Sequence, residues 1–188
     1  MQHSLSLKNQ FLIAMPQLED PHFSHTVTYV VDHTHDGAMG FIINRPSRLS
    51  MGDLLAQHKI EPYPVLNKNA PIYAGGPLHT DRGFILHSND RTAWAATVKI
   101  THEYSITTSR DILEAIALGL GPNQYFFALG HAGWTAGQLE QEVTANTWLT
   151  TPADEDIIFN VRTELRWQAA ALQMGIDMHL MSHHVGHA

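Results

Sequence analysis

The sequence predicts an α+β fold, organised as a compact single domain over residues 1–188. Short apolar runs bounded by Gly, Pro, Asp or Asn dominate the first half, and such runs are typical of strands. Apolar residues at helical spacing recur in the second half. The two kinds of pattern do not alternate regularly, which favours α+β over a doubly wound parallel sheet. A chain of this length can bury roughly 70% of its unfolded surface, enough for one sizeable core.

Five strands are predicted in the first half, and each is too short and too clearly bounded by turn residues to be a helix. Between the third and fourth strands, Ser50 followed by Asp53, Leu54 and Leu55 predicts a short capped helix. The predicted strands are FLIAM (11–15), TVTYVV (26–31), AMGFII (38–43), PIYA (71–74) and GFILH (83–87).

Helices prevail in the predicted second half. Thr108 and Asp111 form a capping-box pattern before an amphipathic segment that Gly119 ends. Thr135 with Gln138 caps a second helix, predicted to run to about Leu149 before Pro152. The remaining elements are predicted as strands at YFFALG (125–130) and DIIFN (156–160) and a final helix from Thr163 to Met174.

The charge distribution argues against direct binding to nucleic acid. The chain carries 18 acidic and 11 basic residues, a formal net charge of −7, and the bases are scattered along the sequence. Proteins that bind nucleic acid draw most of their affinity from clustered cations that displace counterions from phosphates. We therefore expect no direct contact with DNA or RNA.

The sequence shows no signal for export or membrane insertion. The first residues contain only a five-residue apolar run, Phe11 to Met15, which Pro16 ends. The chain has no cysteine, which excludes disulfides, thiolate nucleophiles and cysteine zinc sites. We expect a cytoplasmic protein that does not contact a membrane.

Four long blocks of this chain are FLIAMPQLEDPHFSHTVTYVVDH with GAMGFIINRPS, AGGPLHTDRGFILH, ALGHAGWTAGQLEQEVTANTWL and MGIDMHLMSHHVGHA. These blocks resemble the YqgE/AlgH family of bacterial proteins, and the similarity spans essentially the whole sequence. The resemblance implies a small barrel-like, mostly antiparallel β-sheet surrounded by helices, in a soluble cytoplasmic protein without an established enzymatic activity. The AlgH name implies a role in regulating transcription, which we expect to be indirect because no DNA-binding motif is present. Relatives commonly carry an aromatic or small residue at the position of His131.

The block AGGPLHTDRGFILH (74–87) is the first candidate site. Gly75 and Gly76 leave main-chain N–H groups accessible, and together with Arg82 they could bind a carboxylate or phosphate. The block lacks the spacing of a phosphate loop or a dinucleotide site. A hairpin in which His79 to Arg82 form the exposed turn is therefore the favoured alternative.

The block GHAGWTAGQLE (130–140) is the second candidate site. Gly133, Trp134 and Gln138 lie where a strand is predicted to meet a helix, and the N–H groups at the start of a helix can bind an anion. In the alternative interpretation Trp134 fills the core and the glycines permit close packing. The sequence favours neither reading over the other.

We interpret the protein as a non-catalytic module that binds a small anionic ligand or a protein partner, without a cofactor. The alternative is a hydrolase that uses His87 or His131 as base, oriented by Asp81 or Glu103. The 14 histidines also raise the question of a metal site, but no HExxH motif is present and we expect no native metal. The close sets of histidines are His22 with His25, His33 with His35, and His183, His184 and His187.

Overall fold

The strands join into one sheet in the computed structural model, which describes residues 6–90 and 94–182. Eight of the described strands follow the order β10-β1-β2-β3-β9-β6-β8-β7, and all neighbours in this order are antiparallel. A branch of two strands leaves β9: β5 pairs with it in parallel and with β4 in antiparallel orientation. The strands are β1 (Gln10–Ala14), β2 (Val27–Thr34), β3 (Gly37–Ile42), β4 (Pro46–Ser50), β5 (Pro71–Ala74), β6 (Leu78–Ser88), β7 (Thr97–Lys99), β8 (Tyr104–Thr107), β9 (Tyr125–Thr135) and β10 (Trp148–Pro152).

The sheet curls into a half-barrel. Four strands separate β2 from β7, yet Val31 of β2 and Ile100 at the end of β7 belong to one buried cluster. Side chains alternate across the sheet, so that Phe84 points to this inner cluster and its neighbour Ile85 to the outer face. The predicted α+β class with a barrel-like, mostly antiparallel sheet is confirmed.

Six short α-helices of the described chain cover the sheet. α1 and α2 pack on the outer face of β5, β6 and β9, α3 packs against β9 and β10, and α4 to α6 close the half-barrel. None of the helices in the described ranges is long and apolar enough to cross a membrane. The helices are α1 (Met51–Gln57), α2 (Arg110–Ala117), α3 (Gln138–Thr144), α4 (Glu155–Phe159), α5 (Arg166–Leu172) and α6 (Met178–Ser182).

The capped helix predicted after Ser50 is confirmed. The Ser50 side chain accepts a hydrogen bond from the Asp53 main-chain N–H, and the Asp53 carboxylate accepts from the Ser50 N–H in return. At α2 the N-cap residue is Ser109 rather than Thr108. Sequence patterns therefore located these helix starts to within one residue.

The strand predicted at residues 156–160 is wrong, because this segment forms α4. The Asp154 side chain accepts hydrogen bonds from the N–H groups of Asp156 and Ile157, which starts a helix. Ile157 and Ile158 are buried within that single helical turn. A run of three apolar residues fits a strand and a short helix equally well, and the cap decides between them.

Two helices are shorter in the structure than the sequence predicts. α3 starts at Gln138 and ends at Thr144, and Trp148–Pro152 instead pairs with β1. The final helix is split into a 3-10 turn, Thr163–Leu165, and α5. The spacing of apolar residues did not show where α3 ends before β10, nor that the final helix begins with a separate 3-10 turn.

Candidate functional site

The block AGGPLHTDRGFILH does not form a hairpin, because β5 and β6 lie on opposite sides of β9. Tyr73 of β5 and Phe84 of β6 are both paired with Ala128 of β9. The chain between them must therefore cross β9. The favoured alternative for this block, two strands joined by a tight turn, is replaced by a crossover.

The two glycines permit this crossover. A Cβ atom on Gly75 would lie 2.4 Å from the carbonyl oxygen of Gly130, and one on Gly76 would lie 2.2 Å from the carbonyl carbon of His131. Gly76 also has a φ of +154°, which side chains rarely tolerate. The Gly75 N–H donates to the Leu129 carbonyl at 2.8 Å, so this donor is bound within the protein.

A wide bulge in β6 projects the next residues outward. Leu78 is paired with His131 and Gly83 with Leu129, so that residues 79–82 lie opposite the single residue Gly130. His79 adopts a positive φ of 47° in this bulge. The bulge therefore places the side chains of His79 and Arg82 at the mouth of the half-barrel.

His79 and His131 form a stacked, hydrogen-bonded pair. Their ring centroids are 5.2 Å apart at an angle of 22°, and His79 Nδ1 lies 3.0 Å from His131 Nε2. His131 Nδ1 lies 3.1 Å from the carbonyl oxygen of Ala132, which can only accept. When both rings are neutral, His131 Nδ1–H donates to that carbonyl and His79 Nδ1–H donates to His131 Nε2. His79 Nε2 is then an acceptor at the mouth of the half-barrel.

This histidine pair borders a groove of about 420 Å³ across the mouth of the half-barrel. We call it the mouth groove. Its floor is apolar, with Val31, Phe84 and Ile106 almost fully buried. The residues that line it are Lys8, Val31, Asp32, Met39, His79, Arg82, Phe84, Ala96, Val98, Lys99, Ile100, Ile106, Thr108 and His131.

The mouth groove carries an excess of positive charge. Lys8, Arg82 and Lys99 line it, against the single carboxylate of Asp32. The Asp32 carboxylate lies 3.9 Å from Lys8 Nζ, which leaves the charges of the other two cations uncompensated by groove residues. The Arg82 guanidinium lies 5.3 Å from the centre of the Phe84 ring, which holds it over the apolar floor.

Trp134 and Gln138 lie on a different face, around the carboxylate of Glu142. The indole N–H groups of Trp134 and Trp148 both donate to Glu142 Oε2, at 2.9 and 2.8 Å. Gln138 Nε2 donates to Glu142 Oε1 at 2.9 Å. Trp134 is buried with Leu139 in the cluster under α3. These side chains are engaged in packing α3.

The structure thus separates the six sequence-derived site residues into four places. Gly75 and Gly76 lie at the crossover over β9. Gly133 is exposed near Leu78, whose Cδ1 would lie 2.8 Å from a Cβ added to the glycine. Arg82 lines the mouth groove, and Trp134 with Gln138 surrounds Glu142.

With this geometry in place, comparison with known proteins identifies the family. A family model described as AlgH-like matches residues 11–179. The chain belongs to the AlgH-like family. A UPF0301 protein of Saccharophagus degradans is 51% identical over 98% of this chain and 90% of its own length. A UPF0301 protein of Thioalkalivibrio sulfidiphilus is 50% identical over the full length of both chains.

A solved structure supports the same assignment, and a second one shares the fold. The solution structure of the AlgH protein from Pseudomonas aeruginosa matches with a TM-score of 0.79 and 45% identity, covering 100% of this chain and 99% of that one. A crystal structure of a Corynebacterium diphtheriae protein matches with a TM-score of 0.75 at 19% identity, covering 93% and 90%. The second likeness concerns the fold alone.

The residues proposed for hydrolysis form no base–acid hydrogen bond in the described part of this AlgH-like structure. His87 is buried, with Nδ1 3.0 Å from the Ser88 carbonyl oxygen and Nε2 2.8 Å from Thr107 Oγ1. Burial lowers its pKa below the ordinary histidine value, which favours the neutral ring. In the described part of the chain, no hydrogen bond joins His87 or His131 to Asp81 or Glu103.

Sequence reasoning missed Lys8, His79 and Lys99 as members of the mouth groove of this AlgH-like protein. Lys8 and Lys99 carry no local signal, because they lie in unrelated segments that only the curl of the sheet brings together. The described residues contain no group of three or more metal-ligating side chains. His183, His184 and His187 lie outside the described residues.

Proposed function

We propose that this protein is a binding module for a small organic anion with an apolar body, and that the mouth groove is its site. The observation that carries the proposal is the combination of an apolar floor with two uncompensated cations, Arg82 and Lys99, in one cavity. An apolar body covers the floor, while a carboxylate, phosphate or sulfonate group contacts the cations.

The composition of the groove supports binding rather than acyl transfer. Among its described lining residues there is no serine, and the chain has no cysteine. The single hydroxyl is that of Thr108. The His79–His131 pair is suited to accept a hydrogen bond from a ligand hydroxyl or a protonated acid through His79 Nε2.

An effect on transcription, if it is part of the family's role, would be indirect under this proposal. The net charge of −7 disfavours a nucleic-acid backbone as the ligand. A small cytoplasmic anion would instead alter how the protein interacts with another protein.

A fluorescent sulfonate tests the proposal. Anilinonaphthalene sulfonate has the required apolar rings and single negative charge, and its uncharged analogue phenylnaphthylamine serves as the matched neutral probe. We expect saturable binding of the sulfonate to the wild type. In the variant Arg82→Ala/Lys99→Ala its affinity should fall about fivefold, the effect of two exposed ion pairs of about 0.5 kcal/mol each. Affinity for the neutral probe should change little.

The control is Lys68→Ala/Arg162→Ala, which removes the same charge at exposed positions that do not line the groove. This control should bind the sulfonate like the wild type at the same ionic strength. Equal losses of affinity in the two double variants would show a general charge effect and would refute the mouth groove as the site.

A further inference from the structure

Arg166, the first residue of α5, is a buried cation. Its residue is 5% exposed, its Nε donates to the Val161 carbonyl at 2.9 Å, and its Nη1 donates to the Ile43 carbonyl at 2.5 Å. A guanidinium has five N–H donors. Two donors are therefore bound to main-chain oxygens, and the side chain ties the start of α5 to the end of β3.

The charge of Arg166 is not matched by a carboxylate. Among the described residues, no acidic side chain lies within ion-pair distance of it. Its guanidinium carbon lies 5.1 Å from the ring centre of Tyr73 and 5.9 Å from that of Phe126. Burial lowers the pKa of Arg166 below its ordinary value, and the nearby Tyr73 hydroxyl only partly offsets this effect. Buried charges are usually paired with an opposite charge, and the positive charge of Arg166 lacks such a partner among the described residues.

Arg166 lines a cavity of about 210 Å³ whose other walls are mainly aromatic. We call it the inner cavity. The rings of Tyr73 and Phe126 stack at 4.3 Å and 20° in one wall, and Tyr125 and Phe159 also line the cavity. None of the other lining residues in the described chain is charged. The inner cavity thus combines one fixed positive charge with flat apolar walls.

We propose that the inner cavity binds a compact monocarboxylate with a flat apolar body, of the size and shape of benzoate. The carboxylate accepts hydrogen bonds from the guanidinium, whose planar fork matches its two oxygens. The flat body lies against the aromatic walls. A monoanion fits better than phosphate, because a second negative charge would find no second cation in the cavity. This site is separate from the mouth groove, and the proposal does not depend on the function assigned there.

Benzoate and its neutral isostere benzamide are the probes. We expect benzoate to raise the thermal midpoint of unfolding in a concentration-dependent way up to about 10 mM, and to shift the Arg166 Nε–Hε resonance in NMR spectra. Benzamide should bind at least about tenfold more weakly. Sodium sulfate at the same ionic strength is the control for a general salt effect.

Three variants locate the site. Arg166→Lys keeps the charge but loses the fork, and should weaken benzoate binding about tenfold. Ala70→Leu narrows the cavity while leaving Arg166 in place, and should abolish binding even if the arginine variant fails to fold. Arg82→Ala changes the mouth groove and should leave the benzoate-induced shift of the Arg166 Nε–Hε resonance as it is in the wild type.

Three results would overturn the proposal. Benzamide or sulfate could match the effect of benzoate. A folded Ala70→Leu variant could bind benzoate with wild-type affinity. Arg82→Ala could remove the benzoate-induced shift of the Arg166 resonance, which would assign benzoate to the mouth groove. In that last case the function proposed for the groove would stand and the inner site would fall.

Discussion

At the scale of single residues, the glycines at positions 75 and 76 show why a pattern that is typical of anion loops can have a packing origin. Both positions need glycine because β9 passes so close that an added Cβ atom would overlap its main chain. The Gly75 N–H group donates a hydrogen bond to the Leu129 carbonyl oxygen. A pair of glycines in a sequence indicates that another group lies close to the main chain. It does not indicate whether that group is a ligand or part of the protein.

Gly76→Ala tests this packing role. The new Cβ would lie 2.2 Å from the main chain of His131, which cannot move without disturbing β9. This overlap and the strained φ of +154° together should lower the free energy of unfolding by about 3 kcal/mol. Urea titration gives the value. Gly119→Ala is the control, since it has a φ of +73° but no atom within 4 Å, and should cost only about 1 kcal/mol.

His87 gives a prediction about pH. Burial lowers its pKa, so the folded protein favours the neutral ring and the unfolded chain binds the proton more readily. The stabilisation is complete above about pH 6.5 and is lost as the pH falls below it. Between pH 7 and pH 5 the unfolding free energy should fall, and His87→Gln should remove part of this fall. An unchanged pH dependence of the unfolding free energy in His87→Gln would contradict the prediction.

At the scale of elements, the carboxylate of Glu142 joins α3 to two strands. It accepts the indole N–H groups of Trp134 on β9 and Trp148 on β10, both nearly buried. Gln138 in the first turn of the same helix completes its contacts. Trp134 and Gln138, which the sequence suggested as part of an anion-binding site, instead surround a carboxylate of the protein itself.

Glu142→Leu should therefore destabilise the protein strongly. It leaves two nearly buried indole N–H groups without an acceptor, at a cost of about 2–4 kcal/mol in the free energy of unfolding. Tryptophan fluorescence during urea unfolding measures both the stability and the environment of the indoles. Glu114→Leu is the matched control, because its carboxylate makes an exposed i,i+4 pair with Arg110 and should cost under about 0.5 kcal/mol. Similar losses in the two variants would show that Glu142 does not hold these elements together.

At the scale of the whole molecule, the curl of the sheet creates both proposed sites. The mouth groove combines side chains from β2, β3, β6, β7, β8 and β9. The inner cavity lies where α4 and α5 cover β5 and β9. Neither site is built on one loop or motif, so each depends on the sheet having the right curvature.

The predictions from sequence were accurate where a local signal was complete. Apolar runs between turn residues located β1, β2, β3, β5 and the second part of β6, and the Ser50–Asp53 box located α1, whereas β4, β7 and β8 were not predicted. They were inaccurate where two structures share one local pattern, as at Ile157 and Ile158, where the Asp154 cap selects the helix. For the candidate site, Arg82 was found through its glycine-rich block, whereas Lys8 and Lys99 were not.

The sequence by itself determined the α+β class, the family and most strand positions, because these depend on the periodicity and order of side chains along the chain. Only the tertiary structure decided which charged residues share a cavity, which glycines serve packing, and that Arg166 is buried without a carboxylate partner. Burial and charge pairing depend on distances through space between segments far apart in sequence. A linear pattern does not contain those distances.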